Sequence, residues 1–274
     1  MSAQALSPRV AVGGALALAV VAASAAGVIA TPYDPVAVDL AARIEPPSAA
    51  HWLGTDQFGR DLLSRLMAGG HKSLLISLAA VLGALLAGVP LGVVAGYAGG
   101  WVDRAIGTVL DALMAFPSIL VALGIMSVLG PSEGGVVLAL ALAYAPAVTR
   151  VARASALSSR RREFVDAARV LGMPAPAILL RHVLPHCVAP VGVLAASLLA
   201  AALLTESALS FLGVGVPPPA PTWGGMLAEG RPFIGLADWL TIFPGLAIAL
   251  TLLAINLLGD ALRDRLDPRM RAPR

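Results

Sequence analysis

Six stretches of the sequence are apolar for long enough to approach or exceed the thickness of a lipid bilayer, and this limits the fold more than any other feature. A helix rises about 1.5 Å per residue, so roughly 20 apolar residues cover the hydrocarbon core. Val10–Ala30, Ser73–Tyr97, Ile106–Leu129, Val188–Leu212 and Trp239–Leu262 meet that length; Gly134–Val148 is shorter and interrupted by Pro146. Charged residues make up 13% of the 274 positions, against about 25% in a soluble domain, so lipid must solvate most of the surface. The expected fold class is an all-α membrane protein with six transmembrane helices. Pro90, Pro117 and Pro146 lie in or beside spans and predict kinks.

The basic residues set an orientation. With the N-terminus inside, fourteen of the 19 Lys and Arg fall on the cytoplasmic side, and Arg43, Arg60, Arg65, Lys72 and Arg231 fall outside. The reverse arrangement would invert that ratio against the positive-inside rule. Basic charge therefore reads as topology, and no nucleic-acid partner is expected. The expected segments are an N-terminal anchor helix over 1–30, an external loop over 31–72, a membrane domain over 73–262 with a cytoplasmic insert at 159–186, and a cytoplasmic tail over 263–274. Ala23-Ser24-Ala25 resembles a signal cleavage site, but the apolar run is long for a signal peptide and only Arg9 precedes it, which favours an uncleaved anchor. In the external loop, Leu62, Leu63, Leu66 and Met67 share one helical face, predicting a short helix in the interface or on the bundle.

Several functions are not expected. A single cysteine, Cys187, allows neither an intrachain disulfide nor a Cys-based metal cluster. The only lysine, Lys72, lies in GHKS, without the spaced glycines of a phosphate loop, so ATP hydrolysis by this chain is not expected. No paired carboxylates or Ser–His pair stand out in the spans, which argues against an intramembrane enzyme or a cofactor. His182 and His186 have i,i+4 spacing, but Pro185 between them predicts a helix break, so no metal site is expected.

The insert is the stretch with the most information. From Glu163 it reads EFVDAARVLGMPAPAILLRHVLP. Phe164, Ala168 and Leu171 recur at i, i+4, i+7 and predict one apolar stripe, with Glu163, Asp166 and Arg169 off it. Arg162–Asp166 and Asp166–Arg169 have the spacing of helical ion pairs. Gly172 is placed to end the helix in a left-handed residue, and Pro174 forbids simple continuation. A second short helix, roughly Ala175 to Arg181, is expected to run to a break at Leu184-Pro185. The small pair Ala167-Ala168 would let another surface approach closely.

Asp166-Ala167-Ala168, Gly172 and His182-Val183-Leu184-Pro185 together resemble the E-A-A-x₃-G-x₉-I-x-L-P loop of binding-protein-dependent ABC importer permeases. Asp166 stands for the Glu and His182 for an apolar residue. HWLGTDQFGRDLLSRLMAGG from His51, GYAGGWVDR from Gly96, ESALSFLGVGVPPPAPTWGGML from Glu206 and FPGLAIALTLLAINLLGDALRDRLDP from Phe243 look like the C-type permeases of dipeptide, oligopeptide and nickel importers. The resemblance implies a type I importer permease bundle and a B-type permease partner. It also implies two ATPase subunits, an external binding protein, and a coupling helix within the insert. It leaves the cargo open between peptides and nickel or a metal chelate. A channel would not need the insert.

Acidic groups inside spans are costly and are functional candidates. Glu206, near the outer end of the fifth span, reads either as a substrate-pathway residue or as a group hydrogen-bonded to its surroundings.

Overall fold

A computed structural model describes residues 8–266; most of the expected tail lies outside the described residues. The long helices are α1 (Pro8–Ile29), α2 (Leu62–Ala98), α5 (Glu133–Ser159), α8 (Leu184–Phe211) and α10 (Trp239–Leu266). Shorter ones are α3 (Gly100–Met114), α4 (Ser118–Leu129), α6 (Glu163–Val170), α7 (Ala175–Ile178) and α9 (Trp223–Gly230).

The bundle is built on the parallel pair α2 and α5, whose contacts run in the same sense from Lys72–Glu133 to Gly96–Ala156. In lipid there is no hydrophobic gain from bringing two apolar helices together, so close packing of small residues supplies the attraction. Gly88, Gly92 and Gly96 recur every fourth residue and therefore share one face of α2. A Cβ on Gly88 would lie 2.8 Å from the Ala145 carbonyl oxygen, one on Gly92 would strike the Thr149 carbonyl, and one on Gly96 would lie 2.9 Å from the Ala156 Cβ. At the opposite end of the same pair, Lys72 Nζ meets Glu133 Oε2 at 2.8 Å.

This pairing decides the third crossing. The α2 helix ends where α5 ends, and α5 begins beside the early part of α2, so α3 and α4 must carry the chain from one end of the bundle to the other. They do so as a broken span, bent by 87°. The kink expected at Pro117 within Ile106–Leu129 is thus a full break between two helices. Ala115, Phe116 and Pro117 form the break, because Pro117 cannot donate to the preceding turn and disfavours helix in the residue before it.

Two further expectations change, and one further helix is found. Leu62 to Met67 do not form a separate interfacial helix; they are the first turns of the 37-residue α2, and Leu62 and Arg65 are buried there. The fourth span is longer than its apolar run, because α5 continues through Pro146 to Ser159. The loop over Val214–Asp238 contains α9, capped by Thr222, whose hydroxyl accepts from Gly225 N at 3.1 Å. Trp223 is buried, and its indole donates to the Leu66 carbonyl at 2.9 Å.

At this end of the bundle the segment before α2 folds into a cap. Asp61 caps α2 by accepting from Ser64 N at 2.8 Å, and it also meets His51 Nδ1 at 2.9 Å. A charge-neutral quartet then ties the cap to α9. Arg60 reaches Asp56 at 2.6 Å and Glu229 at 2.6 Å, while Arg65 reaches Glu229 at 2.9 Å and Asp56 at 3.4 Å. The Arg65 side chain is only 1% exposed. A buried charge loses its hydration, so removing one partner of such a group strands the other.

Two stability predictions follow from this packing. Gly92→Leu should cost about 1–3 kcal/mol or more by overpacking the α2–α5 seam, whereas Gly124→Leu on α4, where nothing lies within 4 Å, should be near neutral. Arg65→Ala should cost about 3–5 kcal/mol by leaving two carboxylates, Asp56 and Glu229, to share Arg60 alone. Thermal unfolding of the detergent-extracted protein checks both; an unchanged midpoint for Gly92→Leu or Arg65→Ala contradicts the corresponding assignment.

Candidate functional site

The insert leaves α5 at Ser159 and forms α6 and α7 before a single wide π turn, Leu179–Val183, leads into α8. Gly172 has φ +75°, the left-handed conformation that ends α6. The break expected at Leu184-Pro185 does not occur. The helix runs on unbroken from Ala175 to Phe211, and the wide π turn just before Pro185 accommodates the missing N–H.

The face that α6 turns inward differs by one position from the expected stripe. Val165 and Ala168 are buried, and they pack with Ala152, Ala156, Ile178, Val183 and Cys187. Leu171 is instead 83% exposed, and Val170 is 88% exposed. Leu171 already lies beyond the last turn of α6, so the helical periodicity that placed it on the inner face has stopped. Ala168 therefore makes room for this chain's own bundle, while Ala167 faces out.

The remaining insert residues fall into two groups. Glu163 and Asp166 are exposed, and Asp166 pairs with Arg169 at 2.9 Å; this i,i+3 pair holds the carboxylate. Phe164 is half-buried, with its ring centroid 5.1 Å from His186 and 6.2 Å from His182. Leu184 is half-buried and Pro185 exposed. The His182 Nε2 atom is enclosed without a hydrogen-bond partner. No cluster of three metal-ligating side chains occurs among the described residues.

Two arginines fasten the insert to the corner between α2 and α3: Arg160, and Arg169, which the sequence marks only as an ion-pair partner of Asp166. Arg160 Nη1 donates to the Ala98 carbonyl at 3.2 Å and lies against Gly99, where a Cβ would strike it. The Arg169 guanidinium stacks over the Tyr97 ring, 5.4 Å from its centroid. Gly99 and Gly100 have φ of +66° and +60°, so the corner is a double glycine turn. Beyond it, α3 is held to α5 by Arg153–Asp103, with Nη2 2.8 Å from Oδ2, and by Arg150–Asp111 at 2.6 Å. The contacts advance eight positions on α3 but three on α5, about 12 Å against 4.5 Å of rise, so α3 runs inclined across α5.

Glu206 is fully enclosed. Its carboxylate accepts from Ser210 Oγ at 2.9 Å and Ser207 Oγ at 3.4 Å, and α9 closes over it where Gly224 packs against the Ser207 backbone. In this conformation Glu206 is closed off, and its polarity is met by the neighbouring hydroxyls of Ser207 and Ser210.

Comparison with known proteins agrees with the geometry. A family profile described as "Binding-protein-dependent transport system inner membrane component" matches residues 88–272. The chain is 44% identical over 230 residues to the dipeptide transport system permease protein DppC of Alkalihalophilus pseudofirmus, covering 84% of this chain and 76% of the relative. It is 42% identical over 246 residues to the di/tripeptide transport system permease protein DppC of Pseudomonas aeruginosa, covering 88% and 81%. It is also 42% identical over 228 residues to the glutathione transport system permease protein GsiD of Pectobacterium atrosepticum, covering 83% and 76%. Among solved structures, an inward-facing MetNI methionine ABC transporter chain superposes with a TM-score of 0.61 at 15% identity, over 74% of this chain and 96% of that one; this is a likeness of fold. The protein belongs to the binding-protein-dependent transport system inner membrane components, as a multi-pass membrane permease of an ABC importer.

Proposed function

We propose that this chain is a non-catalytic, C-type permease subunit that forms half of the translocation pathway of an ATP-driven peptide importer, with α6 as its coupling helix. The observation that carries the reading is the outward face of the insert. Ala167, Val170 and Leu171 stand exposed among Arg161, Arg162, Glu163, Asp166 and Arg169, whereas Val165 and Ala168 are locked to the bundle. Exposed apolar residues rimmed by charge suit a protein partner. That partner is one of two ATPase subunits; a B-type permease completes the membrane unit, and an external binding protein delivers cargo. The basic residues put the insert and both termini on the cytoplasmic side, in a bacterial inner membrane.

The relatives are named for dipeptide, di/tripeptide and glutathione transport, which favours peptides over nickel. On this reading, closure of the ATPase pair moves α6. Arg160 and Arg169 carry the displacement to the Tyr97–Gly100 corner, where the double glycine turn lets α3 rock against α5. The ATPases thereby bias a helix bundle that has two discrete arrangements.

Ala167→Trp tests the docking face. The variant should fold and insert like the parent, yet lose co-purification with the ATPase subunits and lower labelled-dipeptide uptake at least tenfold. Gly172→Pro should also abolish uptake, because proline cannot adopt the φ of +75° that ends α6. Parental ATPase capture and uptake by both variants would overturn the assignment.

A further inference from the structure

The break between α3 and α4 opens a cavity of about 300 Å³ whose walls include Phe116, Val121, Leu142 and Leu198, with hydroxyls supplied by Ser118 and Tyr144. None of its lining residues is charged. Tyr144 lies near the middle of α5, so its hydroxyl sits deep between the two membrane surfaces. The ring is 5% exposed, and its oxygen is 2.8 Å from Thr205 Oγ1 on α8. The oxygen is therefore held in place by a bond between two long helices.

A second cavity, of about 450 Å³, flanks the same broken span and is lined by Leu91, Ile106, Val109 and Leu113. Its one hydroxyl, that of Thr149, is spent on the Ala145 carbonyl at 2.8 Å. That cavity offers an apolar chain all it needs. The first offers more, and polar groups at mid-depth are costly against lipid, so they mark pathways. Mostly apolar pockets with a few placed polar groups are the usual form of small-ligand sites, and transporter sites gather near the midplane at broken helices.

We propose that the Ser118–Tyr144 cavity is a transit site for the substrate's peptide backbone; this rests on the peptide-import reading above. Tyrosine and serine hydroxyls can each donate and accept, which matches an amide that presents both N–H and C=O. Uncharged apolar walls admit side chains of different kinds without selecting a charge. The cavity thus recognises what all peptides share and leaves discrimination between them to the binding protein.

The test uses the assembled importer with its partner subunits and binding protein, reconstituted in liposomes. In a Cys187→Ser background, Ala147→Cys places a thiol in the cavity wall. Saturating dipeptide with ATP should slow its modification by a thiol reagent several-fold. Tyr144→Phe should raise the KM for dipeptide uptake about 2- to 10-fold, in line with one lost hydrogen bond, and Ala147→Trp should cut uptake at least tenfold with ATPase subunits still bound. Peptide-independent labelling together with parental kinetics for Tyr144→Phe would overturn the cavity assignment while parental uptake stands. Absence of dipeptide uptake by the parent importer would instead overturn the peptide reading and the cavity with it.

Discussion

The close contact between α2 and α5 is the constraint on which the rest of the structure depends. Two helices in lipid gain nothing from hiding leucines from water, so their association depends on how near the backbones come. Gly88, Gly92 and Gly96 remove the side chains that would hold the helices apart, and Ala152 and Ala156 present small partners to them. Once this parallel pair is fixed, the C-terminal ends of α2 and α5 lie together. The chain between them must then cross the bundle, and the corner at Gly99–Gly100 falls beside the insert.

Each end of this pair carries a different device. At one end a neutral quartet of Asp56, Arg60, Arg65 and Glu229 joins the cap to α9. Three of the four charges are buried and Glu229 is half-buried, each within reach of an opposite charge, so the cap is specified by electrostatic pairing as well as by apolar area. At the other end the insert is held by a short apolar seam and two arginine contacts, with its remaining face free. The first arrangement suits a fixed platform. The second suits an element that transmits displacement, because Arg160 and Arg169 bind the insert to the last turn of α2, directly before a glycine turn.

Much of the fold was legible. Span length, low charge and the basic asymmetry led to a helical membrane bundle with an insert, and the motif around Asp166, Gly172 and Leu184-Pro185 pointed to the permease family. The errors have specific causes. Periodicity put Leu171 on the inner face because a stripe cannot show that the helix ends at Val170. Pro185 read as a break because sequence does not show the π turn ahead of it that carries the helix through the proline. For Glu206, Ser210 lies one turn on along the same α8 and was within reach from the sequence, whereas the covering Gly224 arrives only through helix packing.

Sequence alone determined the solvent of this protein, its number of apolar crossings and the residue types at the insert, because hydropathy, charge and glycine–proline stops are local properties. Only the tertiary structure decided that the third crossing is broken, that Arg60 and Arg65 share carboxylates with a distant α9, and that Tyr144 meets Thr205 beside a cavity. These depend on which helix faces which, and at what distance. That choice is made by close packing between segments far apart in the chain, which no single stretch of sequence records.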